Sequence, residues 1–202
     1  MAASSSSSAS SAAPAVEVVP AVAGDLPALF ALVNEAYQVE TGDSGVAFKC
    51  TNRLLDADAE LLPSIAAGRA LKALVGGALA GCICFEEQQA AAAAVAVHDG
   101  GADAAAPPHM HFGPFAVAAS AQGRGVGRAL LEALYARARA RGIRYVDIEV
   151  VNWRSDVMPW YERMGYVRFG TGDFPAPERL ARPASFVLMR LDLQKAPATE
   201  AM

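Results

Sequence analysis

Apolar residues at Leu26, Leu29, Phe30, Val33, Ala36 and Tyr37 recur at intervals of three and four, the repeat of one helix face. Asp25 stands before them and Pro27 just inside, which marks a helix start. Val126, Leu130, Leu131, Leu134, Tyr135 and Ala138 repeat the pattern and predict a long amphipathic helix closed by Gly142. A short helix is predicted over residues 58–67, ending at Gly68, and another opens at Ser155 or Asp156, runs through Met164 and ends at Gly165. Strands are predicted over 16–19, 71–75, 79–85, 111–117, 145–151, 166–169 and 186–191, with Gly76-Gly77 as a hairpin turn. Pro114 has no N–H for a ladder, so its strand should carry an edge or a bulge there. Hairpins and helical crossovers both occur, which predicts an α/β fold with mixed pairing.

Composition narrows the picture. The chain has 202 residues and a formal net charge of −4, enough for one domain and against a broad nucleic-acid surface. Residues 1–15 are Ala, Ser and Pro and are expected to form a disordered tail. A single domain is expected over 16–193, with a flexible alanine-rich insert at 86–109 and a C-terminal tail at 194–202. Cys50, Cys82 and Cys84 have no disulfide spacing and read as reduced residues of a cytoplasmic protein. The N-terminus lacks the basic start and apolar centre of a secretory signal, while its Ser-rich, acid-poor character leaves a plastid leader as the alternative. No apolar run reaches the length of a membrane span.

The chemistry begins at Gln122-Gly123-Arg124-Gly125-Val126-Gly127-Arg128, between a strand and a helix. A glycine turn at a helix start can aim backbone N–H groups at phosphate, and this one carries its own cations. The spacing is not the GxGxxG of a dinucleotide site, and the Lys-Ser/Thr of a phosphate-loop NTPase is missing.

From Phe115 through Arg128 the chain resembles the acyl-CoA-binding motif of the GNAT superfamily of acetyltransferases, a strand followed by Gln/Arg-x-x-Gly-x-Gly/Ala. Gln122, Gly125 and Gly127 match its marked positions. Downstream, Asn152 ends a strand, and Trp160-Tyr161-Glu162-Arg163-Met164-Gly165-Tyr166 is similar to the family's closing helix. Ala119 stands where proline is common, and the stretch from Asn152 to Tyr161 is longer than usual. The resemblance implies a mostly antiparallel mixed sheet of six or seven strands, flanked by about four helices, with a splayed central parallel pair. It also implies acetyl-CoA as the acetyl donor.

On that resemblance, Gly123, Gly125, Val126, Gly127 and Arg128 bind pyrophosphate through backbone N–H groups, and Arg124 and Arg128 are either phosphate ligands or surface charges. Phe115, Ala116 and Val117 offer strand edge to pantetheine, with the Val117 N–H as oxyanion donor. Asn152 and Trp160 also fall among the implied cofactor contacts. Tyr161 matches the family tyrosine placed near the sulfur; a phenol is protonated at neutral pH and can donate to the leaving thiolate. The proton acceptor stays open between Glu149, His111 and water.

The acceptor pocket is implied to involve Tyr37, Phe48, Lys49, Arg53, Asp173, Phe174 and Glu178. Aromatic and mixed-charge residues suit a small polar or amino-acid-like amine, with a peptide N-terminus as the other acceptor class. A non-catalytic acyl-CoA-binding module is the alternative of a different kind. His109 and His111 form the one tight histidine pair, His98 lies in the insert, and no cysteine or acidic cluster completes a metal site. A monomer or a homodimer is expected, acting on neither membrane nor nucleic acid.

Overall fold

The computed structural model describes residues 15–38, 53–88, 107–179 and 183–195. Phe48, Lys49, Cys50 and His98 lie outside these residues, as do nearly all of the N-terminal tail, the middle of the insert and the chain end. The strands are β1 (Val16–Pro20), β2 (Ala70–Val75), β3 (Ala78–Gln88), β4 (His109–Val117), β5 (Tyr145–Val151), β6 (Val167–Asp173) and β7 (Ser185–Asp192). The helices are α1 (Leu26–Gln38), α2 (Ala57–Glu60), α3 (Leu62–Ala66), α4 (Val126–Ala140) and α5 (Met158–Arg163). One seven-stranded sheet has the order β1-β2-β3-β4-β5-β7-β6. Its pairs are antiparallel except β4 with β5.

Alternation along β5 divides the core. Val146, Ile148 and Val150 are buried in a cluster with Leu130, Leu131, Leu134 and Tyr135 of α4. Burying each such aliphatic side chain is worth about 1.5–3 kcal/mol, so the stripe fixes α4 on this face. Gly81 of β3 admits the start of α4, since a Cβ there would stand 2.9 Å from Val126 Cγ1 and 3.1 Å from Leu130 Cδ1. On the other face Leu29, Leu32 and Val33 of α1 pack with Cys82, Cys84 and Ala116. Burial raises both thiols, Cys84 to about 12, so they are inert core residues.

Several boundaries differ from the sequence expectation. Glu86–Gln88 and His109, assigned to the insert, are paired with each other's strands in β3 and β4. Asp25 does not open α1 directly: a 3-10 turn at Ala23–Asp25 precedes it, and the Asp25 carboxylate accepts from Val22 N and pairs with Lys72 Nζ at 2.6 Å. Ser155 and Asp156 do not cap α5, which starts at Met158 without a side-chain cap; Asp156 is held by Arg154 instead. β6 runs on through Gly170 and Gly172 to Asp173, because these residues pair with Leu188, Phe186 and Ser185 of β7. The helix expected over residues 58–67 is two short ones, with Asp56 capping the first through Asp58 N and Ala59 N.

Candidate active site

The sheet opens where β4 and β5 part. They pair only at His109–Tyr145, Met110–Val146 and His111–Asp147. Beyond that, β4 follows β3 and β5 follows β7. A bulge assists the divergence: between the pairs Ile83–Phe115 and Phe85–Phe112, β4 holds one residue more than β3, around Gly113 and Pro114. A cleft of about 530 Å³ fills the wedge. Ala118 N donates to Ala80 O of β3 at 2.9 Å. By strand alternation the Val117 N–H points the other way, to the open edge.

At one end the wall passes into the glycine turn. Gly123 has φ 72° and Gly125 φ 82°, left-handed values that a side chain resists. Gly125 is the residue before α4, and no side chain caps that helix start. Gly127 serves a different purpose: a Cβ there would lie 3.3 Å from the Phe115 ring and 3.7 Å from Trp160. Those rings stack at 6.2 Å and 22° beneath the turn. Helix N–H groups without a cap, approached over glycine, form an anion cradle that suits a pyrophosphate. Arg124 and Arg128 are exposed beside it, and Arg128 Nε lies 3.7 Å from Glu132 Oε1.

At the wedge itself, His111 and Glu149 stand on adjacent strands and both line the cleft. Among the described residues, His111 Nε2 is one of two buried side-chain polar atoms without a hydrogen-bond partner. Burial lowers the His111 pKa below 6.5, while the charges of Glu149 and Asp147 oppose the shift. Asp147 shares the Glu149 side of β5, but its carboxylate is buried and gripped by Arg190, Nε to Oδ1 at 2.8 Å and Nη2 to Oδ2 at 2.7 Å. His109 Nε2 is 3.7 Å from the same carboxylate. Glu149 is exposed to the cleft. Tyr161, which also lines the cleft, is 5% exposed and packs edge-on against Trp160 at 5.0 Å and Tyr166 at 5.5 Å. Tyr166 is held in turn by the Tyr135 hydroxyl at 3.1 Å.

The far end is assembled from distant segments. Tyr37 and Phe174 line it, and Arg53 stands 5.8 Å over the Tyr37 ring. Phe174 packs on Phe186 at 5.1 Å. Trp153 and Arg154 complete this wall, and sequence reasoning missed both. Nothing marks them in the sequence beyond their place after the strand bearing Glu149. The Trp153 Nε1–H donates to Pro183 O at 3.1 Å, which fixes the indole against the segment before β7. Arg154 is paired with Asp156 through two contacts of 2.9 and 3.0 Å.

The cleft thus brings together Tyr37, Arg53, His111, Phe115, Ala116, Val117, Gln122, Glu149, Trp160, Tyr161 and Phe174, eleven of the expected residues. Asn152 is not on its wall: its Oδ1 accepts from Ser185 N at 3.3 Å and ties β5 to β7. Asp173 and Glu178 are exposed and also off the wall. Among the described residues no group of His, Cys, Asp and Glu has the arrangement of a metal site. No helix there is long and apolar enough to cross a membrane.

Solved structures share this architecture. An N-acetyltransferase from Staphylococcus aureus Mu50 matches with TM-score 0.62 and 16% identity, over 89% of this chain and 99% of its own. A ribosomal-protein-alanine N-acetyltransferase from Brucella melitensis matches with TM-score 0.63 and 20% identity, over 87% and 99%. A Salmonella typhimurium protein solved with its cofactor acetyl-CoA matches with TM-score 0.60 and 17% identity, over 93% and 99%. No curated protein matches the sequence. The profile of the acetyltransferase (GNAT) family matches residues 28–166, from α1 to the tyrosine behind α5 and well over half of the chain. The chain therefore belongs to the acetyltransferase (GNAT) family, whose members draw on acetyl-CoA.

Proposed function

We propose that the protein acetylates the primary amine of a small-molecule or amino-acid-like acceptor by direct attack on the thioester. The observation that carries this reading is that His111, Glu149 and Tyr161 line the same cleft where β4 and β5 part. Acetyl-CoA, when bound, supplies the acetyl carbonyl and a thiolate leaving group. The uncapped start of α4, with Gly123 and Gly125 before it, holds the pyrophosphate, and Arg124 and Arg128 add positive charge. The Val117 N–H at the open edge of β4 polarises the carbonyl.

The acceptor enters as an ammonium and must lose a proton before its lone pair attacks. His111, kept neutral by burial and with Nε2 unsatisfied, takes that proton directly or through water, and Glu149 stabilises the resulting charge. As the carbon–nitrogen bond forms and the carbon–sulfur bond breaks, the Tyr161 hydroxyl gives its proton to the sulfur. The newly bonded nitrogen gives up its remaining excess proton to solvent, the tyrosine recovers one from solvent, His111 releases the proton it took, and the products are an acetamide and free CoA.

The test is thiol release from acetyl-CoA across polyamines, amino acids, arylalkylamines and peptide N-termini. Amine-dependent release, reduced about tenfold or more by His111→Asn or Glu149→Gln, is expected. Release with peptides alone would move the acceptor to a protein N-terminus, the substrate named for the Brucella relative. No release with any amine, despite acetyl-CoA binding, would sink the proposal.

A further inference from the structure

His111 and Asp147 form the last register pair of β4 and β5 before the wedge opens. Residues opposed in this way present their side chains on one face of the sheet. Asp147 is the one acid that is buried among the described residues. A carboxylate beside an imidazole normally bonds it and favours its charged form. Yet His111 Nε2 is buried and has no hydrogen-bond partner.

Arg190 accounts for that gap. It stands opposite Asp147 in the β5–β7 register, and its Nε and Nη2 donate to Oδ1 and Oδ2 at 2.8 and 2.7 Å. The guanidinium fork thus takes both oxygens of the carboxylate. The fork is itself set over the Tyr145 ring at 4.9 Å and the Phe169 ring at 4.6 Å, so β5, β6 and β7 all hold it. A buried ion pair adds little stability over an apolar pair of the same volume, so stability alone does not explain it. The other charges around His111 are Glu86 opposite it on β3, His109 on β4 and Glu149 on β5. Helix α1, which packs on β4, adds Tyr37 to the cleft, and its single acid, Glu35, is exposed. Arg53, Arg154 and Asp156 stand at the far end. Burial and His109 oppose a charged His111 ring, and Glu149, Asp147 and Glu86 favour it.

Resting on the acetyl-transfer reading, we infer that Arg190 is a positioning residue for the reaction: by gripping both oxygens of Asp147 it withholds that carboxylate from His111 and leaves the imidazole open to the acceptor's proton. Arg190 lies off the cleft wall and acts only through Asp147. Without the fork, the Asp147 carboxylate turns to His111 and holds the ring in its charged form, which cannot accept a proton. Removing the carboxylate as well as the fork should undo that damage, whereas a merely structural ion pair would leave the double variant no better.

Histidine ring titration by NMR on the full chain tests this without any substrate. The chain has three histidines, and the signal missing from His111→Asn identifies the one in question. In Arg190→Gln the His111 titration should rise by about one unit or more, and in Arg190→Lys, which keeps the charge but not the fork, by less. In the double variant Asp147→Asn/Arg190→Gln it should return to the parent's value or below. Initial rates of CoA release with spermidine, L-phenylalanine, phenethylamine and an alanyl peptide give the second readout. Wherever the parent turns over, kcat/KM of Arg190→Gln at about pH 6 should fall roughly five- to tenfold, approach the parent near pH 9, and recover in the double variant. Should Arg190→Gln not fold, His111 should still titrate higher in Arg190→Lys than in the double variant, which buries no unpaired charge. A His111 titration unmoved by loss of the fork, a shift confined to His109, or a double variant slower than Arg190→Gln overturns the inference and leaves acetyl transfer standing. Silence of the parent with all four amines removes the acetyl-transfer reading instead, and the titration still decides whether Arg190 holds Asp147 off His111.

Discussion

At the end of the cleft proposed for the donor, Gln122 on the wall leads into one run of chain, Gln122–Arg128, shaped by backbone. At the acceptor end Tyr37, Arg53, Trp153, Phe174 and Phe186 arrive from α1, the approach to α2, the turn after β5, the end of β6 and the start of β7. The donor end depends on where N–H groups point, which glycine conformation and a helix start decide locally. The acceptor end depends on side chains whose neighbours are remote in sequence. A backbone site serves one invariant ligand, since phosphate and strand edge are the same for every donor molecule. A side-chain site can be rebuilt residue by residue without disturbing the fold, so the acceptor is where one chain of this family can differ from another.

The variant that cuts deepest should lie between the two ends. Tyr161→Phe removes the proposed proton donor and keeps the ring that packs on Trp160 and Tyr166. A loss in kcat of about 10²-fold is expected, with acetyl-CoA affinity by calorimetry changed only a few-fold. If kcat stayed within about threefold of the parent, Tyr161 would be a packing residue and the sulfur would take its proton from elsewhere.

Gly125→Val separates the ends. A β-branched residue at φ 82° costs about 1–2 kcal/mol in backbone strain, so acetyl-CoA should bind roughly tenfold more weakly. KM for the acceptor, measured at saturating acetyl-CoA, should hardly move. Weakening of both substrates together would show that the ends are mechanically coupled.

The pH response of the wedge is next in size. His111 has a folded pKa depressed below its ordinary 6.5, with burial as the leading cause, so the unfolded chain binds its proton more readily. Its contribution to stability is fully present above pH 6.5 and is lost as pH falls from there through the lower folded value. Glu149, Asp147 and Glu86 soften this by favouring the charged ring, and His109 adds to it. Denaturant midpoints compared between about pH 7 and pH 5 should fall, and His111→Gln should flatten that part of the decline. An unchanged slope in the variant would assign the acid sensitivity to other groups.

The smallest effects belong to Arg124→Ala and Arg128→Ala. Both side chains are exposed, and Arg128 has Glu132 beside it, so each should weaken acetyl-CoA by only about two- to fivefold. That loss should shrink in high salt, as screened surface charge requires. Salt-insensitive loss would mean that the guanidinium is desolvated against phosphate.

What could be read from the sequence follows the same division. The Val126–Ala138 stripe needs only the helical repeat, and every member is buried as that repeat demands. The strand over residues 145–151 was legible because both its bounds and its alternation are local; Asp147 and Glu149 share a side as expected. The glycine turn was legible as a turn. Its third glycine was not separable from the other two, for Gly127 answers to Phe115 and Trp160 rather than to its own φ. The length of β6 is not legible because Gly170 and Gly172 weaken a strand in isolation, and only pairing with β7 carries it through them. Asn152 illustrates the converse: it directly follows β5, but its side chain turns to Ser185.

By itself the sequence determined the periodic elements, the glycine turn before α4 and the two motifs that point to the acetyltransferase family. These depend on interactions within a few residues, where chain connectivity already fixes the geometry. The tertiary structure decided that Asp147 is taken by Arg190 while Glu149 faces the cleft, although both stand on one side of one strand. It also decided that Trp153 and Arg154 join Tyr37 and Arg53 in a single wall. Partners 40 or so residues apart in the chain, such as Asp147 and Arg190, meet only through sheet register, and register is set by the burial of whole faces rather than by any local signal.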